Sequence, residues 1–199
     1  TISWMASNQR LLVGTQSIEF SARASTLDEP LSPTAFVIKP ASNQGSANVD
    51  VVKIDNRCVF VQRNGSRVYE LAFDSRGYDY AANDLTAVIP EIGYPGIIRM
   101  AMQRQIDTRI HCVRSDGTVA LNIQDRVEDM KAWVDIETPG SNGSGFVEDA
   151  VVLPAGNGYL DDYVYSVVRR SVNGSTVRYL EKWAQATECV GGTINKQAD

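Results

Sequence analysis

The hydrophobic pattern along the chain is that of short strands joined by tight turns. The clearest example is residues 58–73, CVFVQRNGSRVYELAF, where two apolar-rich runs flank Asn64-Gly65. Asn-Gly is the dipeptide that most readily supplies the two positive φ angles of a type I′ turn. The first run is apolar on both of its alternating faces, which is typical of a strand covered on both sides. The segment therefore predicts a β-hairpin.

Strand–turn–strand units of this kind recur at a nearly constant spacing. One glycine is expected at the turn of each unit, and these glycines follow one another at intervals of 51, 52 and 57 residues: Gly14, Gly65, Gly117 and Gly174. A period near 50 residues that repeats a small antiparallel sheet is typical of propeller blades. The sequence therefore predicts an all-β fold, a propeller-like array of about four small antiparallel sheets, either whole or part of a larger or incomplete propeller.

The predicted blades form one propeller-like domain over residues 1–184. They occupy roughly residues 1–40, 49–90, 97–137 and 146–184, and a flexible C-terminal tail is expected over 185–199. One helix is predicted, over residues 84–89, because Asp84 and its neighbours supply a cap and Pro90 ends the segment. Long loops are expected at 74–96 and 138–145. Because the chain opens in a strand, without an initiator methionine or a signal peptide, we expect it to be a piece of a longer protein.

Net charge and hydropathy argue against two classes of partner, nucleic acids and membranes. The net charge of −5 argues against a surface that binds nucleic acid or anionic membrane, since both need clustered Lys and Arg. No apolar run approaches the roughly 20 residues of a membrane-spanning helix.

Cys58 and Cys112 occupy similar arms of successive units and are expected to be buried free thiols in a reducing compartment. A bridge between them stays open as the less favoured alternative, because it needs the two blades to bring them unusually close.

The residues that could carry catalysis do not form a recognisable set. His111 is the one histidine, so a multi-histidine metal site is excluded and a Ser-His-Asp triad would have to depend on it. On a strand between Ile110 and Cys112 it is expected to be a sheet residue facing a polar neighbour. Acidic clusters beside turns are expected to be solvated, although they leave open a Ca²⁺ site or a glycosidase pair: 125/128/129, 148/149 and 161/162. We expect no enzyme activity, no catalytic or metal-binding residue and no cofactor.

Aromatic side chains outside the predicted strands are the candidate contact residues. Four tyrosines are expected in loops, where their rings would pack against a neighbouring subunit or stack on sugar rings: Tyr78, Tyr80, Tyr94 and Tyr159. Asp84 joins them as a candidate interface residue.

A series of short motifs resembles one known family, and the motifs keep that family's order over roughly residues 10–183. They are LLVGT at 11–15, FVQRNGSRVYEL at 60–71, Tyr78 followed by DLT at 84–86, GIIRMA at 96–101, VRSDG at 113–117 and NGSTVRYLE at 173–181. The chain thereby resembles the tail nozzle (tail tubular protein B) family of short-tailed phages and related prophage tail components. The family's region that precedes this segment is absent from the sequence.

The resemblance implies a non-enzymatic structural protein of the virion tail. It implies a propeller-like architecture assembled as a ring around the DNA exit channel, made in the bacterial host cytoplasm, with copies of itself and other tail proteins as partners. DNA would pass without specific binding, which suits the acidic balance. The alternative is a carbohydrate-binding propeller that recognises the host cell surface through loop tyrosines and Trp133. A glycosidase with a carboxylate pair ranks last.

Overall fold

The computed structural model describes residues 1–26, 30–105, 107–125, 128, 130–138, 145–156 and 161–184. In these residues the chain forms four antiparallel sheets and one short 3-10 helix, Pro90–Gly93. The prediction of an all-β, propeller-like array of about four small antiparallel sheets is confirmed.

Each sheet consists of strands that follow one another along the chain. Sheet 1 contains β1 (Ile2–Ser7), β2 (Leu11–Thr15), β3 (Glu19–Ala24) and β4 (Phe36–Ser42). Sheet 2 contains β5 (Val52–Ile54), β6 (Arg57–Val61), β7 (Val68–Asp74) and β8 (Asp79–Asp84). Sheet 3 contains β9 (Ile97–Gln103), β10 (Thr108–Arg114), β11 (Val119–Asp125) and β12 (Met130–Ile136). Within the described residues, sheet 4 contains β13 (Phe146–Leu153), β14 (Tyr163–Val172) and β15 (Ser175–Lys182).

The chain divides into two compact units, residues 1–100 and 101–199. In the first unit an aromatic and aliphatic cluster joins sheets 1 and 2, with the rings of Trp4 and Phe60 5.6 Å apart. In the second unit Val113, Val147 and Val168 belong to a smaller aliphatic core. These apolar contacts supply the main driving force for folding in each unit.

Gly14 is not a turn residue, so that part of the predicted repeat is wrong. It lies inside β2, and a β-carbon built on it would stand only 2.1 Å from the Trp4 ring. The glycine therefore makes room for the indole in the core of the first unit. The other three glycines of the repeat do lie in turns, at Gly65, Gly117 and Gly174.

The turns at Asn173-Gly174 and Asn64-Gly65 have different geometries. Asn173 and Gly174 have φ values of 51° and 78° and connect the directly paired Val172 and Ser175, which is a two-residue type I′ hairpin. At Asn64-Gly65 only the glycine has a positive φ, and the amide of Gln62 donates to the carbonyl of Arg67. This loop has four residues, so the type I′ prediction is wrong at this site.

The helix predicted over residues 84–89 is also wrong. The amide of Leu85 donates to the carbonyl of Val68, which extends the pairing between β7 and β8, and Asp84 accepts hydrogen bonds from the amide and hydroxyl of Thr86. Pro90 opens the 3-10 helix instead of ending a helix. A proline suits the first position of a helix because that position needs no amide donor.

Candidate functional site

Part of the predicted 74–96 loop is a strand. Residues 79–84 form β8 and pair with β7, and Tyr80 is buried in the core of the first unit with 3% of its surface exposed. Its ring meets Phe73 edge-on at 5.7 Å, and burial raises the pKa of its hydroxyl. The loop position predicted for Tyr80 is wrong, and its ring is used for packing inside the unit.

Tyr78 is displayed on the turn between β7 and β8. It is 77% exposed and has a positive φ of 53°. Arg10 fixes the turn, because its guanidinium donates to the carbonyl of Tyr78 at 2.7 Å and pairs with Asp79 at 2.6 Å. The structure therefore holds the backbone under an exposed phenol in a fixed position.

Asp79 is the anionic centre of that arrangement. Its Oδ1 accepts a hydrogen bond from Ser21 at 2.6 Å as well as the contact from Arg10. Desolvation by burial would raise the pKa of Asp79, but the hydrogen bonds from Ser21 and the amide of Tyr80 and the charge of Arg10 outweigh it and lower the pKa. The carboxylate is used to tie the turn to sheet 1.

Asp84 serves the local structure. It forms an ion pair with Arg67 at 2.8 Å and accepts the hydrogen bonds from Thr86 that shape the following turn. A contact with a neighbouring subunit would have to coexist with these bonds.

Tyr94 lies at the end of the 3-10 helix and is 71% exposed, with its amide donating to the carbonyl of Glu91 at 2.9 Å. Val88, just before the helix, is also exposed. This segment presents apolar surface, as a contact region would. Tyr159, the remaining candidate, lies outside the described residues.

His111 is a sheet residue, as predicted. It is buried in β10, where its Nε2 lies 3.3 Å from Oε1 of Gln103 and its ring meets Trp183 edge-on at 5.0 Å. Burial, with a smaller contribution from the charge of Arg109, lowers the pKa of His111 to about 4. The neutral imidazole is thus part of the packing of the second unit.

Both described cysteines are buried free thiols, as predicted. Burial raises the pKa of Cys58 to about 11 and that of Cys112 to about 12. A thiol held in its protonated form is a poor nucleophile and a poor metal ligand, so the burial of these two groups favours a packing role.

The acidic clusters are used in contacts that stabilise the sheets and loops. Glu148 binds the guanidinium of Arg178 through both of its oxygens, at 2.7 and 3.1 Å. Asp162 accepts hydrogen bonds from the amides of Arg104 and Gln105. Among the described residues no group of three or more His, Cys, Asp or Glu could hold a metal ion.

A cleft of about 550 Å³ in the second unit was not predicted from the sequence. Its apolar wall includes Val119, Val147 and Trp183, and polar side chains such as Glu137 and Ser166 complete it. The residues come from five strands and their ends, so no local motif could have revealed it. An indole, carboxylates and a hydroxyl group therefore line one cleft.

The sequence matches no protein-family model, and no curated protein is significantly similar to it. In the part of the chain that the structure describes, no helix has the length and apolar character needed to cross a membrane.

Proposed function

We propose that this chain is a non-enzymatic virion structural protein, a component of a short-tailed phage's tail or nozzle that forms part of the DNA exit channel. The observation that carries the proposal is the ordered series of motifs resembling the tail nozzle family over residues 10–183. The protein would act through the rigid packing of its sheets and through complementary surfaces between subunits.

The places of these motifs in the fold support an architectural role. LLVGT is β2, the segment 60–71 contains the loop between β6 and β7 with the adjoining ends of both strands, and the segment 173–181 contains the turn and most of β15. The resemblance thus concerns the parts that build the sheets. Glu181, the last residue of these motifs, lines the cleft of the second unit, and its carboxylate pairs with Arg170.

The charge of the chain supports passage of DNA without retention. Protein that binds DNA tightly neutralises phosphates with Lys and Arg. Here the net charge is −5, and many arginines are engaged by carboxylates, as in the pairs Arg57–Glu70, Arg114–Asp135 and Arg170–Glu181. A channel wall of this kind would let the genome slide.

The test uses particles of the phage or prophage whose genome encodes the chain. Mass spectrometry of purified particles should detect it, and gold-labelled antibody against it should mark the tail in electron micrographs. Antibody raised against an unrelated protein of the same host is the control. A chain that is missing from purified particles would refute the proposal.

A carbohydrate-binding propeller is the second candidate, and the cleft beside Trp183 is the observation that favours it. The test is a glycan array with the unmodified chain, Trp183→Ala and Tyr94→Ala. Specific binding that is lost in Trp183→Ala and kept in Tyr94→Ala would favour this candidate. Absence of binding by the unmodified chain would exclude it for the glycans on the array.

A further inference from the structure

Sheet 1 is apolar on both of its faces. Its inner face carries Trp4 and Leu12, which belong to the apolar cluster that joins sheets 1 and 2. Because side chains alternate along a strand, Met5 and Val13 lie on the opposite side, the outer face of sheet 1. An antiparallel sheet with one face on a core commonly has polar residues on its other face. The outer face of sheet 1 does not follow this rule.

The register of the four strands places three rows of paired residues on the outer face. The first row consists of Met5, Val13, Phe20 and Pro40, one from each strand. The second row runs from Ser7 on β1 to Ile38 on β4, and the third joins Ala24 to Phe36. No side chain in the three rows is charged, and Ser7 is the one residue that is not apolar. The outer face is therefore a continuous apolar surface.

Much of this surface is exposed to water. Met5 is 62% exposed, Ile38 52% and Phe36 48%. Single exposed apolar residues are ordinary, but a contiguous patch of them marks a contact region. Four strands about 4.8 Å apart, each with about five residues that rise about 3.4 Å, form a plane of roughly 320 Å². Patches of that size on single chains are often functional.

The parts of the chain outside the described residues lack the composition to cover the outer face. The longest of them, residues 185–199, contains Val190 and Ile194 as its large aliphatic side chains, among glycines, amides and charged residues. Each of the shorter ones has at most two large apolar residues. An apolar face four strands wide needs an apolar surface of similar width, as in the packing of one sheet on another. These segments do not provide one.

Charge identifies the surface that fits. Burying charged side chains against an apolar face is costly, because nothing there replaces the water that solvates them. The exposed Leu180 of sheet 4 lies between rows that contain Arg178 and Lys182, so that face does not match. The outer face of sheet 1 on a second copy of the chain brings no charge and has the same size. Identical patches that pack about a two-fold axis form the commonest kind of homo-oligomer.

We infer that the outer face of sheet 1 is a contact between two copies of this chain, which pack sheet on sheet about a two-fold axis. The two faces lie about 10 Å apart, with their strands within about 30° of each other. The area that they bury is at the low end of specific interfaces, so the dimer is reversible, with a dissociation constant of roughly 10–100 µM. The inference goes beyond the proposed function, because a ring around a channel is closed by head-to-tail contacts that use other surfaces.

The first test is sedimentation equilibrium of the unmodified chain, at concentrations from well below to well above that dissociation constant. We expect a monomer–dimer equilibrium that high salt does not weaken, because no charge takes part in the contact. A chain that stays monomeric over this range overturns the inference. Association that continues beyond two copies also overturns it, because a two-fold contact closes at the dimer.

Charge substitution tests which face is used. Ile38→Lys places a charge on the outer face of sheet 1, and the two-fold axis places it in the contact twice. We expect the dissociation constant to rise at least a hundredfold. Val88→Lys is the matched control, since Val88 is 92% exposed and lies outside sheet 1, and it should leave the constant within about twofold. Equal dissociation constants for the two variants overturn the inference.

A second variant guards against misfolding. Met5 lies on the opposite edge strand and is also more than half exposed, so Met5→Lys should weaken the dimer in the same way while the monomer stays folded. Circular dichroism shows whether each variant folds. A folded Met5→Lys that dimerises as well as the unmodified chain overturns the inference.

Photo-crosslinking identifies the occupant directly. A photo-reactive amino acid is placed at position 5, and isotopically labelled and unlabelled chains are mixed before irradiation. We expect crosslinked peptides that join sheet 1 of a labelled chain to sheet 1 of an unlabelled chain, both for this chain and for the full protein that contains it. Crosslinks to another sheet of the second copy, crosslinks within one molecule only, or no crosslinks overturn the inference.

This inference and the proposed function fail separately. A chain that is missing from purified particles refutes the tail function and leaves the dimer measurements unaffected. A chain that is found in particles but is monomeric in the centrifuge refutes the dimer alone.

Discussion

Sheets 2 and 4 share the same meander of strands but are stabilised in different ways. In sheet 2 four consecutive residues of β6 are buried, from Cys58 to Val61, and Phe60 packs between Trp4 and Tyr69. In sheet 4 β15 has no fully buried residue. Sheet 2 thus depends on apolar burial on both faces. Sheet 4 depends more on its backbone ladder and leaves surface for other contacts.

The ion pairs of the two sheets show the same difference. Arg57 pairs with Glu70 where both side chains are largely shielded from water, whereas the partners of the Arg170–Glu181 pair in sheet 4 are more exposed. A buried carboxylate depends on its cation far more than an exposed one does, because water cannot replace the lost partner. Loss of the arginine should therefore lower the free energy of unfolding more at the Arg57–Glu70 pair than at the Arg170–Glu181 pair.

Removing the central side chain of sheet 2 should have the largest effect. Phe60→Ala leaves a cavity in the core of the first unit and should lower the free energy of unfolding by about 3–5 kcal/mol. Leu180→Ala in β15 is the matched change at an exposed site and should alter it by about 0.5 kcal/mol or less. Urea denaturation of both variants provides the measurement. Similar losses would mean that the two sheets do not differ as described.

Removing the arginine of each ion pair sharpens the comparison. Arg57→Met leaves the buried carboxylate of Glu70 without that cation and should cost about 3 kcal/mol of unfolding free energy. Arg170→Met, at the more exposed pair, should cost about 0.5 kcal/mol or less. Urea denaturation of both variants at low and at high salt measures the two losses of unfolding free energy. A larger loss for Arg170→Met would contradict the assignment.

His111 should make stability fall in acid. Its folded-state pKa of about 4 lies below the ordinary value of 6.5. Between these two pH values the imidazole is therefore largely neutral in the folded chain and largely protonated in the unfolded chain. The contribution of neutral His111 to the free energy of unfolding is complete well above pH 6.5 and decreases as the pH falls toward 4, with about 2–3 kcal/mol lost by pH 4.5. His111→Gln, which can still bond to Gln103, should lose less over the same range. Identical pH profiles of the two proteins in urea denaturation would refute this role.

Two glycines of the sequence repeat should respond differently to an added methyl group. Gly14→Ala brings a β-carbon against the Trp4 ring and should cost about 2 kcal/mol. Gly174→Ala meets no atom within 4 Å but has a φ of 78°, so it should cost about 1 kcal/mol. Adding Trp4→Leu should reduce the effect of Gly14→Ala only. Thermal or urea unfolding of the single and double variants tests this, and additive effects at Gly14 and Trp4 would refute the proposed contact.

The sequence was sufficient for the features that depend on local chemistry. Alternating apolar runs predicted the all-β class, and the turn expected at Gly174 is present, as a type I′ turn in which Asn173-Gly174 separates directly paired strands. His111 between two apolar residues of a strand was predicted to be a sheet residue with a polar neighbour, and Gln103 is that neighbour.

Features that depend on distant residues were not predictable in this way. The small size of Gly14 is required by Trp4, ten residues earlier on a neighbouring strand. Residues 79–84, DYAAND, have little intrinsic preference for a strand, and β8 forms because β7 offers an edge and the core offers space for Tyr80. The cleft beside Trp183 is likewise assembled from several strands.

The chain-order pairing of strands within every sheet has a consequence for synthesis. A sheet whose strands are neighbours in sequence needs only short loops to close, so its assembly is rapid compared with sheets that join remote segments. Each meander is complete in sequence before the next begins, which allows the protein to acquire its structure sheet by sheet while it is still emerging from the ribosome.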